Sequence, residues 1–198
     1  MINQILELLI SSVIELYTML VLLRLMMQLA RADFYNPISQ FIVKATDPLL
    51  KPLRRFIPGL WGIDFPSIVL ALLVQVLGLF LLMALKGMDI TSLLLYLLMG
   101  LAGVLKVSLN IILFSIVIVV IVSWVAPQSY NPAASLLRQI IEPIMMPIRR
   151  VIPPMGGLDF STMLAMFVIY ILRNIVLIEL FSVLGVDHNL LRVIGIGV

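Results

Sequence analysis

Four long apolar stretches, separated by segments that carry more polar residues, constrain this chain more than any other feature. They cover residues 2–30, 65–85, 90–126 and 160–183, and about 20 helical residues cross the hydrocarbon core of a bilayer. Of the 198 residues, 63% are hydrophobic and only 12% are charged, so a soluble fold would lack the polar side chains to cover its surface. The sequence therefore predicts an all-α integral membrane protein.

The chain also contains an internal repeat, because residues 35–65 match residues 130–160 without a gap at a displacement of 95. The identical positions are Tyr35-Asn36-Pro37 with Tyr130-Asn131-Pro132, Arg54-Arg55 with Arg149-Arg150, and Asp64-Phe65 with Asp159-Phe160, among others. Such matches in one register indicate a duplication. We predict two tandem units, 1–89 and 90–198. Each has two spans joined by an amphipathic, Pro- and Arg-rich interfacial segment, at 34–60 and 129–155.

The stretch 90–126 leaves the number of spans open, since it is long for one helix and short for two. One solution is a short entry helix near 91–99 followed by a span over 100–126. Both segments between spans are basic, and the positive-inside rule places such segments in the cytoplasm. That placement requires an even number of crossings in each unit. We therefore predict four spans in two parallel repeats, with both termini on the outer side.

The interfacial segments carry signals for helix starts. Asn36-Pro37 and Asn131-Pro132 combine a capping side chain with a proline suited to the first turn. A second start is predicted in each segment at Asp47-Pro48 and Glu142-Pro143. Helices with this balance of apolar and basic residues lie in the headgroup plane of a membrane.

Polar residues at the ends of these segments suggest two further roles. Asp64 and Asp159 are placed to cap the spans that return into the membrane. The arginine pairs have two interpretations, of which the first is topology and anchoring to lipid. In the second they form a docking surface for a cytoplasmic partner or for anionic lipid, with the residues Arg54, Arg55, Arg149 and Arg150.

Charged side chains within the spans need partners, because a charge at the bilayer centre costs about 2.5–3.5 kcal/mol. These residues are Glu15, Arg24, Lys106, Arg173 and Glu179. Glu15 and Arg173 lie midway along the first and fourth spans, which makes a salt bridge between them possible. Lys106 and Glu179 lie nearer the outer side and form a second possible pair.

Lys106 and Asn110 share one helix face because they are four residues apart. We predict a polar seam between the two halves, defined as Glu15, Lys106, Asn110 and Arg173. The seam either fixes helix packing or lines a path for a solute.

The sequence gives no sign of catalysis. It contains no cysteine and a single histidine, His188, and it lacks the motifs of phosphate-binding loops, dinucleotide sites, zinc proteases and nucleophile elbows. We therefore expect a protein that is not an enzyme, with no metal and no cofactor. The predicted partners are membrane lipids, an unidentified membrane or cytoplasmic protein and a second copy of the chain, but no nucleic acid.

Three motifs occur twice: Tyr-Asn-Pro, Asp/Glu-Pro-x-x-x-Pro-x-Arg-Arg-x-Ile-Pro and Gly-x-Asp-Phe. In these the chain resembles the YggT family of small bacterial membrane proteins, to which certain chloroplast proteins are also similar. The resemblance extends over nearly the whole chain and implies the bacterial inner membrane. It also implies roles of different kinds, because bacterial relatives are linked with osmotic or salt tolerance and potassium uptake, and others lie near cell-division genes. Chloroplast relatives assist haem attachment to a cytochrome b subunit.

We expect a scaffold or assembly factor with a docking surface at the cytoplasmic face, because the distinctive residues lie at the membrane surface rather than at its centre. The alternative is a small transporter or channel-like component that contributes to osmotic or salt-stress tolerance and potassium uptake. Buried charges within the spans favour this alternative.

Overall fold

The computed structural model describes residues 2–59, 62–87, 92–125, 131–152 and 160–187. Helices make up most of them: α1 Ile2–Leu29, α2 Pro37–Phe56, α3 Phe65–Lys86, α4 Leu93–Val125, α5 Pro132–Val151, α6 Phe160–Ile171, a π-helical turn Leu172–Val176, and α7 Leu177–Val183. In these ranges four helical segments are long and apolar enough to cross a membrane: α1, α3, α4 and Ser161–Val183. The prediction of an all-α membrane fold is confirmed.

The third span is a single helix. α4 runs for 33 residues without a break, which corresponds to a length of about 50 Å at 1.5 Å per residue. The residues from Leu93 onward, where a separate entry helix was considered, are its first turns. Two glycines within α4 allow α3 to approach closely, since a Cβ at Gly100 would lie 2.6 Å from Val76 Cγ2 and one at Gly103 would collide with Gln75 Oε1.

The spans pack around α4, which contacts α1, α3, α5, α6 and α7. One cluster of buried side chains joins the first half to it, with the members Val21, Leu22, Leu25, Leu70, Ala71, Val74, Val104, Val107 and Ile111. Two further clusters join α4 to the fourth span through Ile116, Val119, Ala165 and Ile169 and through Met99, Ala102, Leu177 and Phe181. α4 is thus the helix that holds the two halves together.

The interfacial helices α2 and α5 lie side by side at one end of the bundle. Asn36 Nδ2 donates a hydrogen bond to the carbonyl of Pro132 at 2.8 Å, and the Asp33 amide donates to Gln139 Oε1 at 2.7 Å. Beneath these bonds a buried cluster contains Met27, Ala32, Ile42, Leu136 and Ile140. Both basic helices therefore share one face of the molecule, as parallel repeats require.

The predicted helix starts at Asn36 and Asn131 are confirmed. Asn36 Oδ1 accepts a hydrogen bond from the Ile38 amide at 2.9 Å, and Asn131 Oδ1 accepts one from the Ala133 amide at 2.9 Å. Because Pro37 and Pro132 follow directly, each helix begins with a residue whose missing N–H would have had no helical partner.

The predicted second starts at Asp47-Pro48 and Glu142-Pro143 are wrong, because α2 and α5 continue through two internal prolines each. A proline inside a helix removes one hydrogen bond and crowds the preceding turn. In the turn before Pro48, the Thr46 hydroxyl donates to the Ile42 carbonyl at 2.7 Å and Arg24 Nη1 donates to the Val43 carbonyl at 3.2 Å. The side chains of Leu50 and Met145 are fully buried, and they hold α2 and α5 against the bundle.

Candidate functional site

In each arginine pair at the ends of α2 and α5, the first member forms an ion pair with a carboxylate of the chain. Arg54 Nη2 lies 2.6 Å from Asp64 Oδ2, and Arg149 Nη1 lies 3.3 Å from Glu142 Oε2. Arg55 and Arg150 are exposed, and Arg150 Nη2 lies 3.9 Å from Met146 Sδ. Successive residues on a helix point in directions about 100° apart. The four predicted surface residues therefore belong to two groups with different roles.

Asp64 links α2 to the start of α3. It directly precedes α3, where a helix cap was predicted, but its carboxylate receives no backbone N–H. Instead it accepts hydrogen bonds from Arg54 and from the Ser67 hydroxyl at 2.6 Å, and the residue is 4% exposed. The predicted cap Asp159 and the single His188 lie outside the described residues.

Arg24 forms the main polar contact between α1 and α2. Its side chain is 7% exposed, and Nη1 lies 2.7 Å from both Asp47 Oδ1 and Thr46 Oγ1. Lys51 Nζ, four residues along α2, lies 2.9 Å from the other Asp47 oxygen. Hydrogen bonds from Lys51 and then Arg24 hold the pKa of Asp47 below its ordinary value. Sequence reasoning flagged Arg24 as needing a partner but did not find one.

Within the membrane the ion pair is Lys106 with Glu15, not Arg173 with Glu15. Lys106 Nζ contacts Glu15 Oε1, with side chains 9% and 51% exposed. The predicted Glu15–Arg173 pairing is wrong because α1 packs against α2, α3, α4 and α5, whereas the π-helical turn that carries Arg173 packs against α4. Lys106 likewise forms its ion pair with Glu15 rather than with Glu179.

Glu15 lies in a cleft between α1 and α4 with a volume of about 440 Å³. Asn110, also predicted for the polar seam, lines this cleft, which we call the α1–α4 cleft. Its other lining residues include Ser12, Leu16, Met19, Phe114, Ser115 and Ile118. Because Glu15 and Phe114 are 51% and 62% exposed, the cleft is open on one side. It presents a carboxylate and an amide between apolar walls.

Arg173 does not lie with the other residues of the predicted polar seam. It lies half-buried in the π-helical turn, and across the ranges that the structure describes its guanidinium has no carboxylate partner. Glu15, Lys106 and Asn110 therefore lie together on one side of α4, and Arg173 lies apart from them. π-helical turns within α-helices are frequent at functional sites.

The interfacial helices and the α1–α4 cleft offer charged groups and hydrogen bonds to a binding partner. Among the described residues, no group of three or more His, Cys, Asp or Glu side chains is placed to hold a metal ion. The basic layer, defined as α2 and α5 with their exposed cations, can bind acidic groups. The α1–α4 cleft can receive an apolar segment that carries a hydrogen-bond donor.

A family model for CCB3/YggT matches residues 3–85 and again residues 98–180. Each match contains two spans and the interfacial helix between them. The chain belongs to the CCB3/YggT family.

Bacterial YggT-type proteins are similar along most of their length. The PA0392 protein of Pseudomonas aeruginosa is 45% identical over 177 residues, which are 89% of this chain and 90% of the relative. The YggT protein of Escherichia coli (strain K12) is 41% identical over 165 residues, or 83% and 85%. A Haemophilus influenzae relative is 36% identical over 169 residues, or 85% and 89%.

The names of these YggT relatives state no activity, ligand or partner. No solved structure matches the chain. Family membership and the four apolar helices together identify a multi-pass bacterial membrane protein built from two YggT repeats.

Proposed function

We propose that this protein is a non-catalytic scaffold or assembly factor that binds a protein partner on the basic layer, at the cytoplasmic face of the bacterial inner membrane. One observation carries the proposal. Hydrogen bonds from Asn36 to Pro132 and from Asp33 to Gln139 join the interfacial helices of the two repeats into a single layer. A duplicated pair of membrane anchors would not need such bonds between its halves.

The layer is held rigidly. Arg24 ties α2 to α1, and the Arg54–Asp64 ion pair ties it to the start of α3. Preorganised surfaces lose less conformational entropy when they bind. The exposed cations that such a layer offers are Lys44, Lys51, Arg55, Arg138 and Arg150.

Exposed apolar and basic residues occupy neighbouring sectors of α2. Phe41 and Phe56 are 63% and 83% exposed, and at 100° per residue they lie beside the sector that carries Lys44, Lys51 and Arg55. Apolar side chains of this kind anchor a helix among acyl chains. The neighbouring cations are then available to an acidic partner, for which complementary charge gives specificity and fast association.

Co-purification from native membranes tests the proposal. Arg55→Gln and Arg150→Gln each remove one exposed charge without breaking an ion pair, and we expect both to reduce capture of the partner while insertion is unchanged. Lys86→Gln is the matched control, since Lys86 lies at the opposite end of the bundle beside Glu7, at 3.5 Å. Equal capture by all three variants and the wild type would contradict the proposal.

A second candidate function, passage of a solute such as potassium, is favoured by the half-exposed Glu15 beside Lys106 in the α1–α4 cleft. Charged groups within membranes often mark ion pathways. The test is ion flux into liposomes that contain only this protein. If the wild-type protein supports ion flux and either Glu15→Gln or Arg173→Gln abolishes it, transport becomes the favoured function.

A further inference from the structure

Two charged side chains in the membrane have unused binding capacity on different faces of the protein. The Arg173 guanidinium is half-buried and, within the described residues, has no carboxylate partner. Glu15 is 51% exposed, and Lys106 Nζ contacts its Oε1. Because an arginine near the bilayer centre is costly without a partner, each group favours a complementary contact from outside the monomer.

These two groups lie at matching depth. α1 ends at Leu29, 14 residues beyond Glu15, and α6 begins at Phe160, 13 residues before Arg173. At 1.5 Å per residue the two side chains are about 21 and about 20 Å from the end of the bundle that carries the basic layer. Two copies of the chain inserted in the same orientation would therefore present Arg173 and Glu15 at the same level.

Within one copy the two groups are separated by α4. The α4 residues Leu109, Ile112 and Ile116 pack toward α6, while Asn110, Phe114 and Ile118 line the α1–α4 cleft. At 100° per residue these two sets lie on opposite sides of the helix. An ion pair between Glu15 and Arg173 of the same chain is therefore excluded by the packing, but one between two chains is not.

The surface around Arg173 has the shape and polarity to enter the cleft. Tyr170 and Val176, about one turn on either side of Arg173, are 56% and 45% exposed. They form an apolar stripe interrupted by one cation. The cleft offers the complement, with Leu16 and Phe114 as apolar walls around Glu15.

We propose that the α1–α4 cleft binds the fourth span of a second copy of this chain, whose Arg173 pairs with Glu15 of the first. The two surfaces differ, so the contact is heterologous and repeats from copy to copy until a ring closes. This self-association does not depend on the proposed scaffold role, because it uses the spans and not the basic layer.

Introduced cysteines test the contact directly, since the natural sequence contains none. Ser12→Cys with Val176→Cys places one thiol in the cleft and one beside Arg173, about 26 and about 24 Å from the basic end by the same count. We expect mild oxidation in membranes to join chains into covalent oligomers. The control pair is Phe80→Cys with Val176→Cys, because Phe80 is exposed on α3 at a similar depth. Absence of cross-links in the first pair, or equal cross-linking in both, would overturn the proposal.

The charge contribution is measured separately, by fluorescence energy transfer between labelled copies in liposomes. We expect Arg173→Gln to weaken association about tenfold, within the range for interhelical polar contacts in membranes, and Arg173→Lys to retain most of it. If the Arg173→Gln variant folds and associates as strongly as the wild type, the proposed ion pair between chains is wrong. Partner capture by the basic layer, measured on the same variant, reports on the scaffold role independently.

Discussion

At α2 the Asp47 carboxylate binds a buried arginine from α1, whereas at the matched position of α5 the Glu142 carboxylate binds Arg149 of its own helix. Two substitutions between the repeats explain the difference. Arg24 corresponds to Val119 and Lys51 to Met146 at the displacement of 95, so the second repeat lacks both cations. The Arg24–Asp47 ion pair holds α2 to α1, and Val119 cannot form the corresponding ion pair with α5.

Apolar burial differs at one matched position. Phe41 of α2 is 63% exposed, while Leu136, its counterpart in α5, is 2% exposed and packs near Met27 and Ala32. Both helices share the buried anchor at Leu50 and Met145. The two copies of the motif therefore differ in the contacts added to this shared anchor, and a set of substitutions can separate them.

The largest difference is expected at the buried arginine. Arg24→Leu removes the partner of Asp47 and Thr46 and should cost about 3–5 kcal/mol in the free energy of unfolding, as for other broken buried pairs. Lys51→Gln removes the 73% exposed partner of the same carboxylate and should cost less than about 1 kcal/mol. Reversible unfolding in mixed micelles measures both, and equal costs would contradict a dominant role of Arg24.

The apolar side of the comparison is tested by a matched pair. Leu136→Ala leaves a cavity against the first half and should cost about 2–4 kcal/mol in the same unfolding measurement. Phe41→Ala, at the equivalent repeat position, should cost less than about 1 kcal/mol because exposed positions tolerate substitution. A larger cost at Phe41 than at Leu136 would reverse the assignment of apolar anchoring to α5.

A smaller difference in the free energy of unfolding is expected between the Arg54–Asp64 and Arg149–Glu142 ion pairs. Arg54→Gln leaves the 4% exposed Asp64 without its cation and should cost about 2 kcal/mol. Glu142→Gln breaks the Arg149–Glu142 ion pair, whose side chains are 35% and 44% exposed, and should cost less than about 1 kcal/mol. If the two variants unfold at the same denaturant concentration, the repeats do not differ at this position.

The smallest effect concerns pH. Because the pKa of Asp47 is held below its ordinary value, its ionised form favours the folded state, and this contribution is present at neutral pH. It is lost as the pH falls through the native pKa of Asp47. Unfolding measured down to acidic pH should therefore show a shallower loss of stability for Asp47→Asn than for the wild type. Lys44→Gln, which does not touch Asp47, should reproduce the wild-type curve.

Much of the architecture was predictable because the signals are local. Asn-Pro at residues 36–37 and 131–132 specifies a helix start through the capping side chain and the fixed proline angle, and both helices begin there. Apolar length gave the four spans. The prolines at 48 and 143 were misleading as start signals, because a helix can continue through a proline where burial against the bundle offsets the lost hydrogen bond, as at Leu50 and Met145.

The pairing within the membrane was less predictable. Counting residues gives the depth of a side chain but not the direction in which it points around the helix axis. Glu15 and Arg173 match in depth, yet α4 stands between them, and the long Lys106 side chain reaches Glu15 instead. One signal for the Arg24 contact was present, since Arg24 is a charged residue whose repeat counterpart, Val119, is apolar.

The cross-repeat contacts of α5 also impose an order on biosynthesis. Leu136, Ile140 and Gln139 all contact residues between Met27 and Ile42. Within the described residues, the ion pairs that α2 forms with other elements connect to α1 and to the start of α3. The N-terminal half leaves the ribosome first and can complete its own ionic bonds there. The second half then packs against a first half that has already folded.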